Sequence, residues 1–117
     1  ALHKGGGHNS IAALTFHVDY YLGGVLHCLQ GGPLLLSDAQ SFQLPPLNTE
    51  ADWQALINRL LSHAASFASA LEALPDSFLT TPFTNPKYGN WQHNIEGLIE
   101  HSYYHLGQVV LLKKWIA

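Results

Sequence analysis

The sequence predicts an all-α fold, an up-down helical bundle, and three observations carry that expectation. Three segments of roughly 20–25 residues place apolar side chains at alternating spacings of three and four, the stripe of a helix that faces a partner. Two Gly/Pro-rich stretches separate these segments. The one run that could be read as a strand, Leu34-Leu35-Leu36, has no partner strand elsewhere, so it is expected to pack beneath the helices.

The first helix is expected from about Ser10 to Gln30. Its stripe is Ile11, Leu14, Val18, Tyr21, Val25 and Leu29; Asn9 or Ser10 supplies the N-cap, and Gly31-Gly32-Pro33 ends it. The Gly23-Gly24 pair lowers helix propensity and marks a close helix crossing. Residues 33–48 read as a loop. Thr49 followed by Asp52 resembles a capping box, and opens a second helix that Pro75 stops near Leu74. Trp53, Leu56, Leu60, Ala64, Phe67, Leu71 and Leu74 form its stripe. The stretch 75–90 carries three prolines and a glycine and reads as a second loop. Asn90 then caps a third helix reaching about Trp115. Its band is Ile95, Leu98, Ser102, Leu106, Val109 and Lys113, widened by Ile99 and Val110. Lys113 and Lys114 suit the helix dipole in its last turn.

Composition narrows the function. Of 117 residues, 47% are hydrophobic and 11% charged, against roughly 25% charged in an ordinary soluble domain. The surface is therefore poor in charge or covered by a partner. Five Lys+Arg and a net charge of −3 leave no electrostatic footprint for nucleic acid or an anionic membrane. One Cys cannot form an internal disulfide. No apolar run approaches the ~20 residues of a membrane helix, and no signal-peptide pattern opens the chain. A single cytoplasmic domain spanning 1–117 is the expectation.

Histidine is the outlier: 8 His outnumber Lys+Arg and equal Asp+Glu. His101 and His105 lie four apart on the third helix, on one face with Cβ atoms about 5–6 Å apart, close enough to share one metal ion. With Gln108 they form their own strip beside the apolar band. Eight histidines would give such a pair by chance roughly half the time, so the spacing alone is weak. A catalytic site of this kind wants a third protein ligand and an open position. His17, at the margin of the first stripe, is the best candidate, and His63 on the second helix is its competitor. His93 lies two turns before His101, too far along the axis to share an ion. His27 projects away from the first stripe, and His3 and His8 precede the first helix.

Other chemistries fail on spacing. A His-Glu-x-x-His protease motif would need Glu where Ser102 stands. The eight acidic residues supply no Glu-x-x-His pairs for a di-iron bundle. Neighbours in a helix point about 100° apart, so His27 and Cys28 form no dyad, and Cys28 reads as a small apolar packing residue. Gly5-Gly6-Gly7 lacks the Lys-Ser/Thr of a phosphate loop.

Three blocks together resemble the DinB/YfiT-like superfamily: HNSIAALTFHVDYYLGGVL around His17, the Trp91 region, and IEHSYYHLGQVVLLKKW around His101 and His105. The resemblance implies a four-helix bundle with a long crossover and a divalent metal, zinc or nickel among others, held by three histidines. Carried over, those are His17, His101 and His105. It also implies that a helix precedes the His17 helix. Only about nine residues precede it here, so either that helix is absent from this sequence or a partner subunit supplies the contact; a homodimer is expected. The superfamily includes transferases and isomerases dependent on low-molecular-weight thiols, and members without known activity.

Three functions follow as expectations. The first is a metal-dependent enzyme that activates a thiol, because a metal-bound thiolate needs no carboxylate base. Acidic thiols, however, need cationic anchors, and the sequence offers only Lys4, Arg59, Lys87, Lys113 and Lys114. The second is hydrolysis of a small substrate, with Tyr104 or a nearby Glu as proton shuttle. The third is a non-catalytic, metal-stabilised bundle for association or sensing.

Overall fold

The chain was analysed as a computed structural model that describes residues 10–116; His3, His8 and Gly5-Gly6-Gly7 lie outside the described residues. Within them are three long helices, α1 (Ile11–Leu29), α2 (Glu50–Glu72) and α3 (Trp91–Ile116), and no strand. No helix among them is long and apolar enough to cross a membrane.

The expected start signals are in place. Ser10 accepts from the Ala13 amide at 3.0 Å and caps α1. At α2 the Thr49 hydroxyl accepts from the Asp52 amide while the Asp52 carboxylate accepts from the Thr49 amide, both at 3.1 Å. Two orphan donors are thus satisfied reciprocally, with Asp doing the work usually given to Glu. Asn90 Oδ1 accepts from the His93 amide at 2.8 Å and opens α3. α2 stops at Glu72, two residues before Leu74, with Ala73 as its C-cap.

Helix directions follow from which residues meet. The 30–49 connection runs back along α1: Leu35 meets Tyr20, Asp38 meets Tyr21, and Ser41 meets His17. α2 therefore starts beside the beginning of α1 and runs the same way, with Arg59 near Asp19 and His63 near Gly23. α3 returns against α1, pairing His101 and His105 with His17. This 30–49 segment is the long crossover that the resemblance implies.

α1 is the central element, and its burial departs from the single stripe expected. Ala12, Leu14, His17, Asp19, Val25, Leu26 and Cys28 are buried, whereas Ile11 and Val18 are only half-buried. The reason is that α1 packs on two sides. Residues two apart point about 200° apart on a helix, so His17 faces α3 while Asp19 faces α2. On the α2 side Asp19 accepts from Arg59 Nε at 2.8 Å and lies 2.6 Å from His63 Nδ1. The glycine pair makes room for two neighbours. A Cβ on Gly23 would lie 3.1 Å from the His63 ring, and one on Gly24 would collide with Leu36 of the crossover at 2.0 Å. Leu34 and Leu36 pack against the core as expected, and Leu35 points out.

The core of Val25, Leu26, Cys28, Phe67, Phe83, Trp91, Ile95 and Leu98 fills the end of the bundle where α1 finishes and α3 begins. Trp91 meets Phe83 edge-on at 4.8 Å, a favoured aromatic arrangement. Beyond it the α3 band departs from expectation. Leu106, Val110 and Ile99 are about half exposed, and Leu112 is buried instead. The buried face continues through His101, His105, Gln108 and Leu112 because α3 packs there on α1. α2 and α3 diverge, leaving an apolar groove between them lined by Phe67, Leu71, Leu98 and Leu106. Ile99, Tyr103 and Leu106 are exposed along this groove.

Candidate metal centre

Three imidazoles meet where α1 crosses α3. His17 and His101 bring their Nε2 atoms to 3.2 Å, His101 and His105 to 2.9 Å, and the ring donors of all three lie within 4.8 Å of one another. The i, i+4 spacing aligns His101 and His105 on one face, and the antiparallel crossing presents His17 opposite them. His63 is thereby excluded: it lies on the other side of α1, bonded to Asp19. His93 is exposed at the start of α3, and His27 is exposed with its ring over Gly32.

The outer nitrogens decide what the inner ones can offer. The Ser41 hydroxyl donates its single proton to the Asp38 carbonyl at 2.7 Å. Towards His17 Nδ1, 3.0 Å away, it can only accept, so that nitrogen carries the proton and Nε2 carries the lone pair. Gln108 Oε1 can likewise only accept from His105 Nδ1, at 2.5 Å. Two lone pairs therefore converge on His101 Nε2. Whatever tautomer His101 takes, its one Nε2 proton could satisfy only one of them. The cluster has a surplus of donor electron pairs that a cation could share.

A proton is a poor candidate for that cation at neutral pH. Burial, reinforced by the neighbouring His105 and His101 rings, lowers the His17 pKa to about 4, against a weaker upward pull from Ser41 and Asp38. His101 is lowered as well, by burial first and by His105 second. The spacing suits a metal. Three nitrogens ~2.0–2.1 Å from one tetrahedral ion would stand about 3.3 Å apart, close to the separations found here. Hydrogen-bonded outer nitrogens are what metal-binding histidines ordinarily possess.

Aromatic rings complete the surroundings. Phe42 stacks on His17 at 4.1 Å with planes 9° apart. Tyr21 sets its edge against His17 and His101 at 5.1 and 5.5 Å, and its hydroxyl donates to the Asp38 carboxylate. Sequence reasoning missed Asp38, Ser41 and Phe42. All three lie on the crossover, Ser41 and Phe42 in its short 3-10 turn, Gln40–Phe42. Tyr104, the expected proton shuttle, is 59% exposed and reaches the site only by its ring against His105. Cys28 is buried among apolar residues and packs as one of them.

An all-helical chain with three convergent histidines is the architecture the resemblance implies. A family model described as the DinB superfamily matches residues 2–109, and the chain belongs to that superfamily. No curated protein and no solved structure matches it.

Proposed function

We propose that His17, His101 and His105 hold a divalent metal ion, zinc or nickel, and that the protein uses it to activate a low-molecular-weight thiol for transfer to a small electrophile. The observation that carries this reading is the pair of tautomers fixed by Ser41 and Gln108, which aim two lone pairs at one point beside a third imidazole. A bound divalent ion would lower the pKa of a thiol or water and make it a nucleophile at neutral pH. The protein's own residues supply the rest. Ser41 and Gln108 hold the rings in the ligating orientation, and Phe42 covers His17.

A second reading, metal-assisted hydrolysis, is favoured by Asp38. Its carboxylate stands beside Tyr21 and His101 along one cleft, where it could take a proton from water. This role replaces the one expected of Tyr104.

Metal analysis of protein purified without a His tag tests the site. Near-stoichiometric zinc or nickel is expected, and His17→Ala or His101→Ala should each abolish it. Unchanged metal content in both variants would overturn the assignment. Conjugation of a model electrophile by several thiols, compared with hydrolysis of model esters, separates the two activities.

A further inference from the structure

A cleft of about 540 Å³ opens beside the triad, with His101 at one end, within the usual size range for small-molecule sites. Its walls are mainly apolar, with Leu36, Phe83 and Leu98 prominent. Two of its polar groups, Asp38 and Asn94, are left with only acceptors to offer. Asp38 contributes a carboxylate, and the neighbouring Tyr21 hydroxyl is already committed to it as donor. Asn94 donates its amide N–H groups to the Tyr88 and Asn90 carbonyls at 3.0 and 2.8 Å. Two carbonyl acceptors fix that amide, so what Asn94 has left to offer is its oxygen. The Tyr88 hydroxyl and His93 are the remaining lining groups, apart from the triad, that can donate.

Positive charge is missing from the lining. Among the described residues no Lys or Arg lines the cleft. Lys87 rests over the Tyr88 ring at 5.2 Å, Arg59 is bonded to Asp19 on the far side of α1, and Lys113 and Lys114 stand in the last turn of α3. Away from the triad, a carboxylate-bearing ligand would meet one negative charge and no Lys or Arg to offset its desolvation.

We propose that this cleft admits small, largely apolar molecules that are uncharged or carry an amine, that Asp38 receives their N–H or O–H, and that carboxylates are selected against. The proposal deepens the metal-site reading, on which it rests for which end of the ligand meets the triad. The charge preference belongs to the cleft itself. A thiol used here would accordingly be neutral or amine-bearing.

Three probes of one shape test the preference on metal-free protein: 2-phenylethylamine, 2-phenylethanol and 3-phenylpropionate, titrated by NMR. Asp38 is exposed, so its pull is partly screened; the amine should bind about tenfold tighter than the carboxylate and about threefold tighter than the alcohol. In Asp38→Asn, which keeps an acceptor for Tyr21, amine and alcohol should bind alike. Equal binding of amine and carboxylate, an unchanged ranking in Asp38→Asn, or binding of none of the three at millimolar concentration each overturns the proposal. A second arm uses cobalt-loaded protein with 3-mercaptopropylamine, 3-mercaptopropanol and 3-mercaptopropionate, followed by the cobalt–thiolate absorption, where the same order is expected. If cobalt does not bind but the phenyl series keeps its order, the metal reading fails and the cleft stands. If cobalt binds but 3-mercaptopropionate binds as well as the amine, the cleft proposal fails and the metal reading stands.

Discussion

Ser41→Ala isolates what the tautomer lock contributes. The residue is fully buried, and the substitution removes one oxygen with two contacts, one to His17 Nδ1 and one to the Asp38 carbonyl. The carbonyl keeps the Ser41 backbone amide, 3.2 Å away, so the turn has reason to persist. His17 fares differently in the two states. Without metal it can move its proton to Nε2 and donate to the neighbouring imidazole, so little stability is lost. With metal that nitrogen must be bare, which leaves a buried Nδ1–H without an acceptor at a cost of about 1–3 kcal/mol. That cost corresponds to roughly 10–100-fold in affinity, the same range found when outer-shell partners of metal ligands are removed. Competition against a chromophoric chelator, with zinc and nickel in turn, measures the affinity directly, while thermal melts of the metal-free protein check the fold. Metal affinity within twofold of the parent, in a variant that melts normally, would refute the argument that Ser41 sets the ligating tautomer.

Two further outcomes follow from the same geometry. His17 has a folded pKa near 4 against 6.5 in the unfolded chain, so its contribution to the metal-free protein is fully present above pH 6.5 and is lost as pH falls through about 4. The full loss approaches about 3 kcal/mol, and His101 acts in the same direction; urea unfolding between pH 7.5 and 4 measures it, and a flat profile would contradict it. Asp19→Ala removes a carboxylate only 2% exposed that bonds both Arg59 and His63. Arg59 is 54% exposed and can return to water, so the loss should fall near about 2 kcal/mol, below the usual range for a broken buried pair. Denaturant midpoints test this, and a change under about 0.5 kcal/mol would mean that the α1–α2 contact does not depend on the pair.

What the sequence made legible was whatever repeats or caps. Ser10, Thr49 with Asp52, and Asn90 announce three helix starts because a cap satisfies its neighbours' amides locally. His101 and His105 are readable from their spacing, and His17 from its place at the edge of a stripe together with the resemblance. The α3 band beyond Leu98 was misread because a stripe says which face is apolar, not which face finds a partner. There the face that finds α1 holds His101, His105 and Gln108, while Leu106 and Val110 turn outward. Asp19 left no trace in the stripe, because it lies off the apolar face of α1 and is buried only by α2, which brings Arg59 and His63 to it. Ser41, Phe42 and Asp38 left none. Their positions depend on a crossover whose path along α1 is set by tertiary contacts, and no period records it.

The division of labour between helices and crossover bears on how such a protein can change. The three imidazoles are placed by two regular helices, α1 and α3, where they cross. The groups that orient one of those rings, shield it and give the adjacent cleft its charge come from the single segment 30–49. Substitutions there can alter which molecules are admitted, and with what sign of charge, while the ring cluster stays where it is. The negative charge of the cleft and the ring cluster thus come from different parts of the chain, one from the crossover and the other from the helices.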